Sequence, residues 1–236
     1  MTMNTKTKNN WLVRLQNILN SSAYEFTKDV LGKIPGRPIK AEYLYTSQLN
    51  KLLPPSSSHK TDEQINIREC TTEDVNLLCE CVNKRNLFER RFSNGEVCII
   101  ATYNNSIIGY EWFSLQAKYH DERNVFTYKI QPDSIYAYDA YIQPEHRGKD
   151  VFYKITHAAY QLVQKHNRKR LIAHIEHENY ASLISHKRLG FNIVDSTIFI
   201  SIFNRIVTNR KKPPTNWPIK ASHSSKHRAR SLQFNN

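Results

Sequence analysis

The chain has 236 residues, of which 39% are hydrophobic and 23% are charged, and this is the composition of a globular protein. No apolar run reaches the ~18 residues that a membrane-spanning helix requires, and the polar start MTMNTKTKNN lacks the apolar core of a secretory signal. We therefore expect a soluble, cytoplasmic protein without a transmembrane segment.

The formal net charge of +13 is concentrated at the C-terminus. Residues 205–236 hold eight Lys or Arg and no acidic residue, whereas residues 65–204 hold 17 basic and 16 acidic side chains. Such a tail is either solvated and flexible, or it attracts an anionic surface such as a membrane, a nucleic acid or an acidic partner. The tail has few aromatic residues, so we do not expect it to bind nucleic acid by stacking bases on aromatic side chains.

The cysteines Cys70, Cys79, Cys81 and Cys98 show no C-x-x-C or Cys/His ligand spacing. This pattern favours buried thiols over disulfides, and it predicts no metal site.

The predicted elements begin with an amphipathic helix in the sequence NNWLVRLQNILN, which docks on the core, on a second copy in a homodimer, or on a membrane surface. The sequences IPGRP and LLPPSSSHKTDEQ follow as turn and linker. We therefore divide the chain into a helical extension and linker (1–64), a main domain (65–204) and a basic tail (205–236).

The main domain alternates between strands and helices. In chain order we predict the strand INIREC, the helix TTEDVNLLCECVNKRN, the strands EVCIIATYN and SIIGYEWFSLQAKY, the short strand NVFTYKI, the central strand SIYAYDAYI, the helix DVFYKITHAAYQLVQKHN, the strand RLIAHIEH, the helix NYASLISHKRLG, and one or two strands in FNIVDSTIFISIF. This order indicates an α/β fold with a mixed sheet and only some parallel crossovers.

The turn between the central strand and the next helix contains Arg147, Gly148 and Lys149. The first N–H groups of a helix lack intrahelical partners and carry partial positive charge, so a phosphate can bind there if the backbone is accessible. Arg-Gly before a helix is also common in ordinary turns, and this turn alone leaves both interpretations open.

Two motifs together resemble the GNAT superfamily of acyl-CoA-dependent N-acyltransferases. The first is IQPEHRGKDVF, from Ile142 to Phe152, and the second is NYASLISHKRLGF, from Asn179 to Phe191. The resemblance covers about residues 65–203. Within that superfamily, the segment RRFSNGEVCIIATYNNSIIGYEWF resembles acetyltransferase-like proteins of bacterial surface-polysaccharide synthesis.

The resemblance implies a GNAT-like sheet whose two central parallel strands splay apart, with acetyl-CoA as acyl donor lying in the gap. It implies that the pantetheine arm contacts Ala140, Tyr141 and Ile142, that the pyrophosphate binds the N–H groups of Arg147, Gly148, Lys149, Asp150 and Val151, and that Asn179 and Ser182 contact the cofactor from the last helix.

Asp150 departs from the family pattern, which usually has glycine beside the pyrophosphate. A carboxylate ~5 Å from a phosphate charge would repel it by ~3 kcal/mol at an effective dielectric near 20. Arg147, Lys149 and Lys154 could offset this repulsion, or Asp150 could turn away and cap the helix.

A second departure is His186, at a position where many family members carry the tyrosine that protonates the leaving thiolate. Histidine can also donate a proton, since its ordinary pKa is near 6.5. The alternative is a histidine that only packs on its helix.

Asp139, on the central strand, is the candidate base that accepts the proton of the acceptor amine. The alternative is a structural carboxylate paired with Arg90, Arg91 or His174. Glu111, on the neighbouring strand, is expected to face the same cleft and hold an amino or hydroxyl group of the acceptor. His174 and Glu176, which share one face of a later strand, are further candidates.

We therefore expect an N-acetyltransferase that acts by direct attack on a primary amine of a small molecule or amino sugar. A second hypothesis is a non-catalytic scaffold on the same fold, tethered by its basic tail. A third is a longer acyl donor, including one on an acidic carrier protein. The acceptor pocket is expected from the first helices and the region Lys118–Gln131, which contain no recognisable motif.

Overall fold

The computed structural model describes residues 39–53, 64–122, 126–202 and 205–218. The predicted amphipathic helix near the N-terminus and the end of the basic tail lie outside these residues.

The described residues form ten strands and four α-helices. The strands are β1 (Ile39–Leu49), β2 (Asn66–Glu69), β3 (Val97–Tyr103), β4 (Ser106–Ser114), β5 (Lys118–His120), β6 (Thr127–Lys129), β7 (Ser134–Ile142), β8 (Arg170–Glu176), β9 (Asn192–Ile202) and β10 (Arg205–Lys211). The helices are α1 (Val75–Cys81), α2 (Arg85–Ser93), α3 (Val151–Lys165) and α4 (Tyr180–Leu189). None of these helices is long and apolar enough to cross a bilayer.

Eight strands form one sheet in the order β10-β9-β1-β8-β7-β4-β3-β2, and β5 and β6 form a separate hairpin. The neighbours in the large sheet are antiparallel, with the exception of the parallel pair β7 and β8. The α/β fold with a mixed sheet is therefore confirmed.

Each face of the sheet carries its own core. Helix α3 buries Val151, Ile155, Ala159, Leu162 and Val163, at helical spacing, against one face. On the other face, α1 and α2 pack on β3 and β4, with the stacked rings of Phe88 and Trp112 at its centre. Helix α4 lies on the same side as α3, since its Leu189 belongs to the α3 core.

Local sequence signals decide several boundaries. Asn104 and Asn105, both with positive φ, make the tight turn predicted between β3 and β4, because asparagine tolerates this conformation better than most residues. Helix α3 is followed by Asn167 with φ 52, and α4 ends at Gly190 with φ 96. These left-handed residues stop both helices close to where the sequence predicts.

The structure differs from the predicted elements in four places. The strand predicted from Ser106 to Tyr119 ends at Ser114, and β5 belongs to the separate hairpin. Strand β1 lies between β8 and β9 in the sheet, although it falls in residues 1–64, which were predicted as helix and linker. The single helix predicted from Thr71 is instead a short 3₁₀ turn followed by α1 and α2. Strand β10 pairs with β9 and falls in the predicted tail. The sheet therefore extends beyond residues 65–204 at both ends.

The two parallel strands pair over only part of their length. Their ladder runs from Ser134 with Arg170 to Ala137 with Ala173, and both strands then continue without pairing to each other. The predicted divergence of these strands is therefore present, and it leaves a gap at their carboxyl ends.

Candidate active site

The turn before α3 has the backbone conformation of an anion-binding loop. A 3₁₀ turn, Pro144–His146, leads from β7 into Arg147, and Gly148 and Asp150 then have φ of 77 and 60. A Cβ built on Gly148 meets no atom within 4 Å, so the space above this residue is open. A ligand can therefore approach the backbone here.

The loop is held against the end of β7. The Nε of Arg147 donates a hydrogen bond to the carbonyl of Ile142 at 3.0 Å. Among the described residues, the N–H groups of Gly148 and Lys149 donate to no backbone carbonyl. Together with the first N–H groups of α3, they form a cluster of donors beside the gap, with the cationic side chains of Arg147 and Lys149 exposed next to them.

Asp150 is the N-cap residue of α3, but its side chain makes no capping hydrogen bond. The alternative in which Asp150 caps the helix is therefore wrong. Its φ of 60 gives a physical reason for the glycine that the family pattern has here, because glycine adopts this conformation without strain. Aspartate is among the residues that tolerate it best.

The predicted pantetheine contacts, Ala140, Tyr141 and Ile142, form the last residues of β7, beyond its pairing with β8. Tyr141 and Ile142 still pair with β4 on the other side, opposite Tyr110 and Gly109. Only the edge of β7 that faces the gap is therefore without a strand partner.

Asn179 and Ser182 lie at the start of α4. The Oδ1 of Asn179 accepts a hydrogen bond from the N–H of Ser182 at 3.1 Å, so Asn179 is the N-cap of this helix. The first turn of α3 contacts the last turn of α4, because the rings of Phe152 and His186 are 5.2 Å apart. The predicted cofactor contacts thus come from three adjoining elements.

His186 is a poor proton donor in this position. It is 6% exposed, it packs against Phe152 and Phe191, and its Nδ1 donates to the carbonyl of Ser182 at 2.8 Å. Burial lowers its pKa to about 4. Since the imidazole is neutral near pH 7, these features favour the packing alternative.

Asp139 makes the structural pairing that the sequence left open. Its Oδ2 accepts a hydrogen bond from Nη1 of Arg91 at 2.6 Å, and its Oδ1 lies 3.7 Å from Nζ of Lys84. Asp139 also has φ 48 and lies in a β-bulge, since Asp139 and Ala140 together oppose Glu111 on β4. A carboxylate engaged in this way is poorly placed to accept a proton from an amine.

Glu111 does not face the open cleft. It is 3% exposed and pairs in register with Ile99, whose side chain belongs to the core under α3. Its Oε2 has no hydrogen-bond partner among the described residues, and burial raises its pKa to about 8. At neutral pH it is therefore a buried, mostly protonated acid.

His174 and Glu176 do not form a second site. Both ring nitrogens of His174 are hydrogen-bonded, Nδ1 with the hydroxyl of Tyr136 at 2.9 Å and Nε2 with that of Thr46 at 3.1 Å. Burial lowers the pKa of His174 to about 3. Glu176 is exposed at the end of β8.

Of the three partners that the sequence offered for Asp139, the structure selects Arg91, which is 2% exposed and also pairs with Glu122. One feature of the site was missed in the sequence. Gly109 lies under the start of α3, where an added Cβ would come within 3.0 Å of the Tyr141 carbonyl oxygen. Gly109 can be read in the sequence, but the need for glycine at this position comes from a tertiary contact.

Comparison with known proteins adds a family assignment to this geometry. The model of the acetyltransferase (GNAT) family matches residues 63–191, which is more than half of the chain. No curated protein matches the chain in sequence.

Three solved structures are among those that are similar to this chain. Aminoglycoside N-acetyltransferase AAC(6')-Iy in complex with CoA is 15% identical with a TM-score of 0.44, over 62% of this chain and 99% of that chain. A conserved protein of unknown function from Staphylococcus epidermidis is 9% identical with a TM-score of 0.49, over 78% and 68%. The protein yncA from Salmonella typhimurium, solved with acetyl-CoA, is 15% identical with a TM-score of 0.42, over 67% and 99%.

Proposed function

Because the chain belongs to the acetyltransferase (GNAT) family, we propose that it transfers an acetyl group from acetyl-CoA to a primary amine of a small molecule or amino sugar. The observation that carries the proposal is the loop from Arg147 to Val151. It combines two left-handed residues, open space above Gly148 and the N-terminus of α3, beside the gap between β7 and β8.

The residues of the loop and gap fit the donor. The N–H groups of Gly148, Lys149 and Val151 hold the pyrophosphate, with the exposed cations of Arg147 and Lys149 adding attraction. The unpaired edge of β7 between Ala140 and Ile142 offers backbone groups to the amides of the pantetheine arm. Bound acetyl-CoA supplies the thioester, which a neutral amine attacks to form an amide as the thiol of CoA leaves.

Direct attack is favoured over a covalent acyl-enzyme. A cysteine nucleophile needs an accessible thiolate. Cys70 and Cys98 are buried, and the Sγ of Cys81 donates to the carbonyl of Ile107 while burial raises its pKa. Cys79 is partly buried and packs against the core between α1, α2 and the sheet. The chain therefore acts by holding the two substrates together, an effect that reaches effective molarities of about 10⁵–10⁸ M in well-oriented systems.

The proton of the acceptor amine leaves to water, and water returns a proton to the departing thiolate of CoA. Asp139 is engaged by Arg91, and His186 and Glu111 are buried, so none of the three predicted catalytic side chains is an open base. The rate should therefore rise with pH until the acceptor amine itself is deprotonated, without a plateau set by a group of the enzyme. A pH profile measured with two amines of different pKa tests this point.

The proposal is tested by thiol release from acetyl-CoA with a panel of primary amines, including polyamines, aminoglycosides and amino sugars of surface-polysaccharide synthesis. We expect turnover with at least one amine and acetylation of its nitrogen by mass spectrometry. Binding of CoA without turnover of any amine would leave the scaffold hypothesis as the better one. If CoA does not bind at millimolar concentration, the loop is a CoA site neither in an acetyltransferase nor in a scaffold on the same fold.

A further inference from the structure

The gap between β7 and β8 opens next to the bulge in β7. The last residues that pair across it are Ala137 and Ala173, and the bulge at Asp139 and Ala140 begins two residues later along β7. A bulge bends its strand and increases the local twist. The bulge therefore lies at the point where β7 stops pairing with β8.

The bulge depends on a left-handed conformation at Asp139, which aspartate tolerates better than most residues but which still costs energy relative to glycine. Asp139 has φ 48, and a left-handed residue other than glycine persists only where its surroundings hold it. Two cations, from α2 and the residue before it, contact the carboxylate of Asp139. Nη1 of Arg91 donates a hydrogen bond to its Oδ2 at 2.6 Å, and Nζ of Lys84 lies 3.7 Å from its Oδ1. Arg91 makes the shorter contact and is the buried member of the pair.

Arg91 is itself fixed on several sides. Its Nε and Nη2 donate to Oε1 of Glu122 at 3.0 and 2.6 Å. Its guanidinium carbon lies 5.0 Å from the ring centre of Trp112 and 4.9 Å from that of Tyr138. A planar guanidinium held by two carboxylates and two rings has little freedom to move, so it fixes the position of Asp139.

We propose that Arg91 is a positioning residue for acetyl transfer. Through its hydrogen bond with Asp139 it fixes the bulge, and the bulge sets the separation of β7 and β8 at the carboxyl ends. Arg91 touches neither substrate in this role. The inference rests on the proposed function, because the gap is taken to bind acetyl-CoA.

The experiment compares Asp139→Ala with Asp133→Ala. Asp133 is the matched control, since it also forms an ion pair with an arginine, Arg170, but at the opposite end of the β7–β8 ladder, where the strands are paired. We expect Asp139→Ala to raise the KM for acetyl-CoA and the Kd for CoA about tenfold, with the KM for the amine unchanged. Asp133→Ala should lower thermal stability but leave these constants unchanged. Equal effects of both substitutions on the constants would overturn the proposal.

Conservative variants keep the test decisive if Asp139→Ala does not fold. Asp139→Asn keeps a hydrogen-bond acceptor and tolerance of positive φ, so it should retain most of the affinity for CoA. Arg91→Lys keeps the charge but loses the planar fork, and it should weaken CoA binding more than Asp139→Asn does. The opposite order would contradict a positioning role for the guanidinium.

Amide hydrogen exchange separates this inference from the proposed function. Exchange at residues 138–142 should be faster in Arg91→Lys than in the wild type, with or without CoA. If the wild type binds no CoA, the proposed function fails, and this measurement still tests the bulge. Unchanged exchange at these residues would overturn the positioning role even in an active enzyme.

Discussion

Asp150 stands where the pattern that this chain resembles has glycine. Its backbone is left-handed, so both glycine and asparagine can replace it without new strain. We predict that Asp150→Gly and Asp150→Asn both lower the Kd for CoA about tenfold or more, because a carboxylate ~5 Å from a phosphate repels it by ~3 kcal/mol. Isothermal titration measures the change.

Asp150→Ala distinguishes the effect of the carboxylate on CoA affinity from the effect of backbone strain on stability. Alanine removes the carboxylate but adopts positive φ poorly. The variant should bind CoA more tightly than the wild type and be less stable to heat than Asp150→Gly. If both Asp150→Asn and Asp150→Gly leave the Kd unchanged, the carboxylate is remote from the phosphates.

Glu111 makes the stability of the fold depend on pH. Its pKa is about 8 in the folded chain against a value of 4.5 for the free side chain, so the folded state keeps a proton that the unfolded state loses between these pH values. The free energy of unfolding should therefore fall as pH rises from about 5 to 8, by at most about 5 kcal/mol from this group. Below pH 4.5 both states are protonated and the effect is absent.

We predict that Glu111→Gln is more stable than the wild type at pH 8 and that the difference shrinks towards pH 5. Urea unfolding at both pH values measures it. The exposed Glu89 on α2 supplies the control Glu89→Gln, which should show no such trend. A constant difference between Glu111→Gln and the wild type would show that Glu111 is ionised in the folded state.

At the scale of elements, the position of the loop depends on the packing of α3 on β4 and β7. Gly109 leaves room for Val151 and Ile142, whose side-chain carbons lie 3.2 and 3.3 Å from an added Cβ. We predict that Gly109→Val displaces the start of α3 and raises the Kd for CoA about tenfold. Titration with CoA and thermal unfolding together measure the effect.

Gly95→Ala is the matched control for Gly109→Val. Gly95 has φ 71 with no atom within 4 Å of an added Cβ, so the substitution strains a turn but crowds nothing. It should cost about 1–2 kcal/mol of stability and leave the affinity for CoA unchanged. Equal loss of affinity in both variants would mean that lower stability, and not displacement of the loop, weakens binding.

The elements around the loop could be predicted because their signals are local. Residues of α3 that face the core recur at helical spacing, and a left-handed asparagine or glycine follows each of α3 and α4. The catalytic roles could not be predicted, because whether Asp139 and His186 are exposed, paired or buried depends on residues distant in sequence. Arg91, 48 positions before Asp139, is the clearest case.

At the scale of the whole molecule, the sheet depends on chain outside the region that matches the family. Strand β1 precedes that region and pairs with both β8 and β9 in the middle of the sheet. It was missed because Leu44, Tyr45, Thr46 and Ser47 are all buried, so the strand lacks the alternation of polar and apolar residues that marks a half-exposed one.

We predict that a chain beginning at residue 54 does not fold cooperatively, because it leaves unpaired the edges of β8 and β9 that β1 joins. Circular dichroism during thermal unfolding measures this loss. Adding a synthetic peptide of residues 39–53 should restore part of the transition, whereas a scrambled peptide should not. A cooperative transition in the truncated chain alone would show that β1 is dispensable.

We propose that backbone N–H groups before and at the start of α3 bind the pyrophosphate of CoA. Titration of the ¹⁵N-labelled protein with CoA, followed by amide resonances, tests it most directly. We predict that the largest shifts occur at Gly148, Lys149 and Val151 and that adenosine alone does not reproduce them. Saturating CoA without a change at these three amides would contradict it.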